Sequence, residues 1–426
     1  MQSRRWHNSN VSRRSTSLSN HRVAITGIGL VTPLGIGKDT FWKRLLDGAI
    51  AVDGITRFDA SEYASRIAAE IRDFDASSHM DRRRLQWTDR FSQMAVVAAL
   101  LACEDARVSF EGADDVGVFT GSALGGIAYA EEQIEAFYKN GLRSIHPLLT
   151  LSVFGGAAPS NIAIDLGLNG PTTSNANSCA AGAVAIGQAF QAIRSGALRA
   201  AIAGGIEAPL APLTYGAFAI ARAMSTRNDV PRAASRPFDR DRDGFVMAEG
   251  AGLLVLERYE DAIARDGRIY AEITGFGTSN DAYHMAAPLK DGSQTARAMT
   301  AALADARVAP AEVEALNAHG SSTPLGDRAE INAYRTAFGE RSGSIPVSAT
   351  KGQHGHALGA TGAWEVAIAA LTISDGRLPA TINFKSGDEG CRIDCRPNVA
   401  RMRPRIVLSN SSGFGGINAA LVLQEA

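Results

Sequence analysis

The sequence predicts an α/β protein made of two similar halves, and three observations carry that expectation. Apolar strands alternate with helical stretches along the chain, and the strands run into polar or glycine-rich loops. The element ITG-x-G at Ile25–Gly29 returns at Ile273–Gly277, so each half opens with the same strand and glycine turn. The helical stretches 93–106, 182–196 and 362–373 are rich in alanine and apolar residues, which suits helices buried between sheets. The chain divides accordingly into a tail, 1–21, an N-terminal half, 22–265, and a C-terminal half, 266–426.

The tail, MQSRRWHNSNVSRRSTSLSNH, is rich in Ser and Arg and has no Asp or Glu. That composition fits an organellar transit peptide or a disordered tail; a cytoplasmic location is the leading expectation. Order begins at Arg22 with the strand VAIT and a glycine turn. Gly27 and Gly29 lack the third glycine of a dinucleotide fingerprint, so a nucleotide-binding reading is rejected. DDVGVFTGSALGG (114–126) reads as strand then loop, ALRAAIAGGIEA (197–208) as strand then turn, and GAGLLVLERYEDAIARDG (250–267) as strand then helix. In the second half YAEITGFGTSN, ALNAHGSS, IPVSATKG and RIVLSNSSGFGG each carry an apolar strand into a polar or glycine loop. Chemistry in α/β proteins gathers at such carboxyl ends of strands.

Composition excludes several classes. With 43 basic and 44 acidic residues the chain is not built for a polyanion such as a nucleic acid. No apolar run reaches 18 residues, so no transmembrane helix is expected. Four cysteines in 426 residues do not make a disulfide framework. Cys391 and Cys395 form a C-x3-C pair with no second Cys/His pair nearby, and read as two thiols on a surface segment rather than a metal site.

Three loops concentrate reactive residue types. NANSCAAGAVAIGQAF (175–190) puts Cys179 where a polar loop turns into an alanine-rich helix. The unpaired N–H groups and dipole of a helix start favour a thiolate, so a lowered thiol pKa and a nucleophile are expected. A small buried hydrophobe is the competing reading. NAHGSSTPLGD (317–327) surrounds His319 with Ser321, Ser322 and Thr323, as a pocket for a polar ligand would. SATKGQHGHALGATGAWE (348–365) sets Lys351, His354 and His356 in a glycine-rich loop leading into a helix. His354 and His356, spaced by one residue, cannot share a helix face, and no carboxylate or thiolate of metal-ligand spacing completes them with His319; no metal is expected. DRDRDGFVMAEG (239–250) resembles a calcium loop, but Gly250 stands where the bidentate Glu is needed, so it reads as a charge-paired turn.

Taken together, NSCAAG, NAHGSSTPLGD, KGQHGHALGATGAWE and NSSGFGGINAAL stand in the order and spacing of β-ketoacyl-[acyl-carrier-protein] synthases. RAMSTRND, ASRPFDRDRDGFVMAEGAG and DAYHMAAP add to the resemblance, which covers about residues 22–424. The chain resembles the elongating class with a Cys-His-His triad. The resemblance implies the thiolase fold, two similar halves stacked as five αβαβα layers, and a homodimer, with a heterodimer containing a chain-length-factor-like subunit as the alternative. It implies a decarboxylating condensation of an acyl thioester with malonyl-carrier protein, in fatty-acid or type II polyketide-like elongation. No cofactor is implied; substrates arrive on the phosphopantetheine of an acyl-carrier protein.

By the same resemblance Cys179 is the nucleophile and His319 and His356 stabilise the enolate. Lys351, paired with Glu365, orients the site. The backbone N–H groups of Cys179 and Phe414 form the oxyanion hole, Phe414 is a gating aromatic, and Ser321 and Thr323 contact the pantetheine arm. His354 matches no role and reads as loop filler, and Arg82–Arg84 is one candidate patch for the acidic carrier. Other classes fit less well. A CoA thiolase needs a second Cys in the C-terminal glycine loop, which SSGFGG lacks. The initiating synthases have Asn where His356 stands, and a non-catalytic chain-length factor lacks the nucleophile. Two positions depart from the family pattern. Ser412 replaces the first Phe of N-S-F-G-F-G-G, and Ser178 precedes the nucleophile where Ala is common; both bear on acyl specificity.

Overall fold

The computed structural model describes residues 20–426. The expected targeting or disordered tail lies outside the described residues but for its last two. The strands are β1 (Val23–Thr32), β2 (Val116–Gly121), β3 (Thr172–Asn175), β4 (Ala200–Glu207), β5 (Gly250–Arg258), β6 (Ala271–Asn280), β7 (Ala315–Asn317), β8 (Pro346–Ser348), β9 (Asp394–Cys395), β10 (Ile406–Gly413) and β11 (Ile417–Gln424). The helices that position the site are α1 (Arg90–Ala106), α2 (Ile127–Asn140), α3 (Ala157–Leu166), α4 (Ala181–Arg194), α5 (Ser293–Ala306), α6 (Pro324–Phe338) and α7 (Thr361–Asp375).

The two halves repeat one topology. The first runs β1-β5-β4-β2-β3, with β1, β5 and β4 antiparallel and β4, β2 and β3 parallel. The second runs β6-β11-β10-β7-β8 with the same alternation of polarity, and adds β9 at its edge. The ITG-x-G echo therefore marks equivalent strands, β1 and β6. The halves are not two separate sheets. Val23–Ile25 of β1 pair antiparallel with Ala271–Ile273 of β6, and this short seam joins the strands into one hydrogen-bonded sheet.

Helix packing then makes the five layers. α4 touches β2, β4 and β5 of the first half and β6 and β11 of the second, and α7 likewise touches strands of both. They form the middle layer. A helix with neighbours on every side must be apolar all round; residues 361–373 of α7 are all buried, Trp364 completely. α5 and α6 cover the outer face of the second half. α1 was expected between sheets and instead lies on the outer face of the first half, against β1, β5 and α3. Its alanine-rich surface is buried because α3 covers it from outside, so composition alone does not separate the two positions. Cys395 is likewise no surface thiol. It lies buried in β9, packed with Leu316 and Val347, while Cys391 is half-buried.

Candidate active site

Cys179 sits in a one-turn 3-10 segment, Ser178–Ala180, that runs directly into α4. Two features shape the turn. The Asn175 side chain accepts from the Asn177 N–H and donates to Ala181 O, both at 3.1 Å. Ser178 takes a left-handed φ of 52°, a conformation that costs a non-glycine residue energy and collects at functional sites. Gly413 of β10 then comes up against the nucleophile: a Cβ there would stand 3.0 Å from the Cys179 amide nitrogen. The turn at Phe414 thus lies beside Cys179.

The thiol is not the ready thiolate that the helix start leads one to expect. Burial pushes Cys179 up to about 11; the Ser178 hydroxyl, the Lys351 charge and the Phe414 backbone N–H pull the other way without prevailing. Desolvation of a full charge outweighs a helix terminus, whose effect is about 1 kcal/mol.

A cavity of about 370 Å³ opens over the thiol and is lined by Cys179, His319, His356, Ser321, Thr323 and Phe414 among others. The two imidazoles stand edge to face with centroids 5.3 Å apart. Both are held well below the usual histidine range, first by burial and then by the Lys351 charge. They are therefore neutral at physiological pH. His356 is fixed by backbone bonds on both sides, its N–H to Val246 O at 2.8 Å and its carbonyl from Ala248 N–H at 3.0 Å. Its Nδ1 lies 3.1 Å from Thr361 Oγ1. With that hydroxyl donating to Nδ1, the proton of the neutral ring sits on Nε2, outside this bond.

His319 follows β7, and its Nδ1 is buried with no hydrogen-bond partner among the described residues. Its backbone is held instead. Lys351 Nζ, itself buried, donates to His319 O and to Glu365. The Lys351–Glu365 pairing expected from the family resemblance is thus present, and it reaches the active loop through a carbonyl. Burial raises Glu365 to about 7 against the opposing Lys351 charge.

Ser321 Oγ and Thr323 Oγ1 lie 2.9 Å apart, and Thr323 caps α6 by accepting the Gly326 N–H at 3.1 Å. Phe414 is 36% exposed and stacks on Phe218 at 6.1 Å. The DRDRDG segment is a charge-paired turn that supports this loop. Arg242 holds Asp388 through two bonds of 2.9 Å and donates to Thr323 O and Pro324 O.

His354 is not filler. It is completely buried, both ring nitrogens are taken by Gly355 O and Thr350 Oγ1 at 2.8 and 2.9 Å, and its ring meets Trp364 edge-on. It fixes the loop between Lys351 and His356. Of the arginine triplet, Arg84 is bound to Asp165 and Asn161, leaving Arg82 and Arg83 exposed.

Two buried carboxylates were missed by sequence reasoning. Glu330 accepts the His319 and Gly320 N–H groups at 2.8 Å each, the Tyr334 hydroxyl and the Asn410 amide. Glu207, at the end of β4, accepts Ala123, Leu124 and Gly359 N–H groups and the Ser122 hydroxyl. Asp327 and Glu330, three apart on the apolar face of α6, were the available signal for the first.

The comparisons with known proteins agree with this geometry. Residues 20–262 match the Beta-ketoacyl synthase, N-terminal domain, and residues 270–385 the Beta-ketoacyl synthase, C-terminal domain. A "3-oxoacyl-[acyl-carrier-protein] synthase 2" of Synechocystis sp. is 41% identical over 96% of this chain and 99% of its own. Among solved structures, "The ishigamide ketosynthase/chain length factor" superposes with a TM-score of 0.90 at 33% identity, covering 96% of this chain and all of that one. A type II PKS acyl-carrier protein in complex with its ketosynthase bound to the hexaketide gives 0.88 at 33% identity over the same shares. Both domains in order, near-complete coverage and the shared ketosynthase fold make one conclusion: this chain belongs to the β-ketoacyl synthase family.

Proposed function

We propose that the chain is an acyltransferase that elongates an acyl chain on a carrier protein by two carbons through decarboxylating condensation. The observation that carries this reading is Cys179 in one cavity with two neutral, desolvated imidazoles. Cys179 sulfur attacks the acyl thioester, its proton leaves with the pantetheine thiolate, and the acyl group stays on the enzyme. Malonyl-carrier protein then loses CO2. The electron pair of the broken carbon–carbon bond passes into an enolate, whose oxygen is stabilised by N–H donors of His319 and His356. A neutral donor suits this step because it does not protonate the carbanion. The enolate carbon attacks acyl-Cys179, the carbon–sulfur bond breaks, and the 3-oxoacyl-carrier product leaves as the thiol recovers a proton. N–H groups of Cys179 and Phe414 serve the tetrahedral oxyanions, Lys351 and Glu365 position the His319 loop, and Ser321 and Thr323 meet the pantetheine arm.

The partner of this reading is an acidic acyl-carrier protein, met by exposed Arg222 at the cavity rim. A second copy of the chain is the other partner. β3 is an exposed edge strand, and α2 has no buried residue, with Ile134, Phe137 and Tyr138 facing out. Unpaired strand edges and apolar patches of this kind call for a covering surface. A heterodimer with a chain-length-factor-like subunit would use the same face. Among the described residues no helix is long and apolar enough to cross a membrane; a cytoplasmic site of action fits the carrier-borne substrates.

Intact-protein mass spectrometry after incubation with a panel of acyl-carrier proteins tests the core of the proposal. One acyl group should add to the wild type and none to Cys179→Ala. His319→Ala and His356→Ala should still take the acyl group and lose about a hundredfold or more in condensation. An adduct on Cys179→Ala would sink the assignment.

A further inference from the structure

Ser178 stands immediately before the nucleophile, and its hydroxyl lies 3.8 Å from Cys179 Sγ. Hydrogen bonds to sulfur are longer than those to oxygen because the atom is larger, and among the described residues this hydroxyl makes no other hydrogen bond. Two features restrain the side chain there. The Ser178 backbone is in the left-handed region, with φ 52°, and β10 presses on the turn: a Cβ on Gly413 would stand 3.1 Å from Ser178 Cβ. The sulfur has few other direct donors. Of the charged groups that act on it, Lys351 favours the thiolate and Glu207 opposes it, while His319 and His356 share its cavity as neutral rings. Lys351 Nζ is committed to His319 O and Glu365, so it reaches the sulfur through its charge alone. The Phe414 N–H also bonds to the thiol, but in the mechanism above it serves the tetrahedral oxyanion. That leaves the Ser178 hydroxyl as the donor on the sulfur while an acyl group is being transferred.

We propose that Ser178 is a catalytic residue whose hydroxyl donates a hydrogen bond to Cys179 sulfur while that sulfur carries negative charge. This occurs twice in a cycle. In acylation a lone pair of the sulfur forms the new carbon–sulfur bond, the pantetheine carbon–sulfur bond breaks, and the proton given up by Cys179 leaves on the pantetheine thiol. In condensation the enolate carbon forms the carbon–carbon bond, the carbon–sulfur bond of acyl-Cys179 breaks with its electron pair going to sulfur, and the thiolate then recovers a proton. The Ser178 hydroxyl keeps its own proton throughout. Donation to an ionised acceptor is stronger than to a neutral one, so this bond strengthens as charge develops on the sulfur and works against the burial that raises the thiol. Alanine, common at this position in the family, offers no such donor. The inference rests on the reading of Cys179 as the acyl-accepting nucleophile.

Two variants make the test. Ser178→Ala removes the hydroxyl, and Ser178→Gly removes it while relieving the left-handed backbone. Both are compared with wild type in iodoacetamide labelling of Cys179 from pH 7 to 10 and, by intact mass, in single-turnover acylation and in the chase of the acyl-enzyme with malonyl-carrier protein. Both variants should label about three- to tenfold more slowly at each pH, as a thiol raised by about half to one pH unit would, and both half-reactions should fall by a similar factor. Unchanged labelling in both variants overturns the proposal. So does a loss in Ser178→Ala with Ser178→Gly like wild type, which would place the effect in the backbone turn. Slower half-reactions with an unmoved labelling profile would place Ser178 in substrate binding or in the fold, and also overturn it. No acylation of wild type by any carrier-borne donor would overturn the reading of Cys179 itself, a result distinct from acylation that the variants leave unchanged.

Discussion

At Cys179 a helix start and a buried ammonium favour the thiolate while desolvation favours the thiol, and desolvation is the larger effect. Iodoacetamide labelling of Cys179 in the free protein is therefore expected to climb about tenfold per pH unit from pH 7 to 10, since only the thiolate reacts. A plateau by pH 8 would mean that the helix and Lys351 prevail. The buried histidines carry a second consequence. His354 is held at about 3 in the folded protein by burial, with the Lys351 charge adding to it, while the unfolded chain takes up that proton near 6.5. The unfolded state then binds more protons below pH 6.5, so this histidine's contribution to stability is intact above 6.5 and is lost as pH falls towards 3. Urea unfolding of wild type and His354→Gln should differ in slope by about one proton, or about 1.4 kcal/mol per pH unit, in that window. Equal slopes would mean that His354 is protonated in the fold. Cys179, His319, Lys351 and His356 were legible because each stands where an apolar run breaks into a polar or glycine loop. Glu330 left only its spacing from Asp327 on the apolar face of α6 as a trace, and Glu207 left none, since it acts on backbone N–H groups that only the folded chain brings to it.

Between elements, the site depends on a close approach of three backbones. A Cβ on Gly205 of β4 would meet Gly359 O at 2.2 Å, and one on Gly182 of α4 would meet it at 2.7 Å. This contact seats the start of α4, and with it Cys179, against the turn that follows His356. Gly205→Ala should cost about 1–3 kcal/mol in thermal or urea unfolding and depress acylation of Cys179. Near-normal values of both would show that the contact is dispensable. Strand and helix positions were readable from apolar runs because β4, β5 and residues 361–373 of α7 are buried for nearly their whole length and are largely apolar. The two-residue β9 and the seam between β1 and β6 were not readable. Their extent is set by partner strands rather than by any pattern of their own.

Among the described residues β3 lies at the sheet edge and α2 exposes apolar side chains, and the proposed self-association would use that edge. Thr173, exposed on the edge strand, should disrupt pairing when replaced by lysine, because a charge on an edge opposes strand addition. Light scattering on the eluting peak should fall from twice the chain mass in wild type to once in Thr173→Lys; an unchanged mass would move the interface elsewhere. The seam between the halves has a consequence in time. Among the described strands β1 leaves the ribosome first, yet its partners on β5 lie at residues 251–258 and those on β6 at 271–273. For most of synthesis only its last two residues have a partner, Val31 and Thr32 against Ile36 and Gly35, and the remaining contacts, so distant in sequence, form slowly. Nascent chains stalled before residue 258 should therefore be caught by chaperones, and chains stalled beyond the seam should be the first to resist proteolysis of their N-terminal strand.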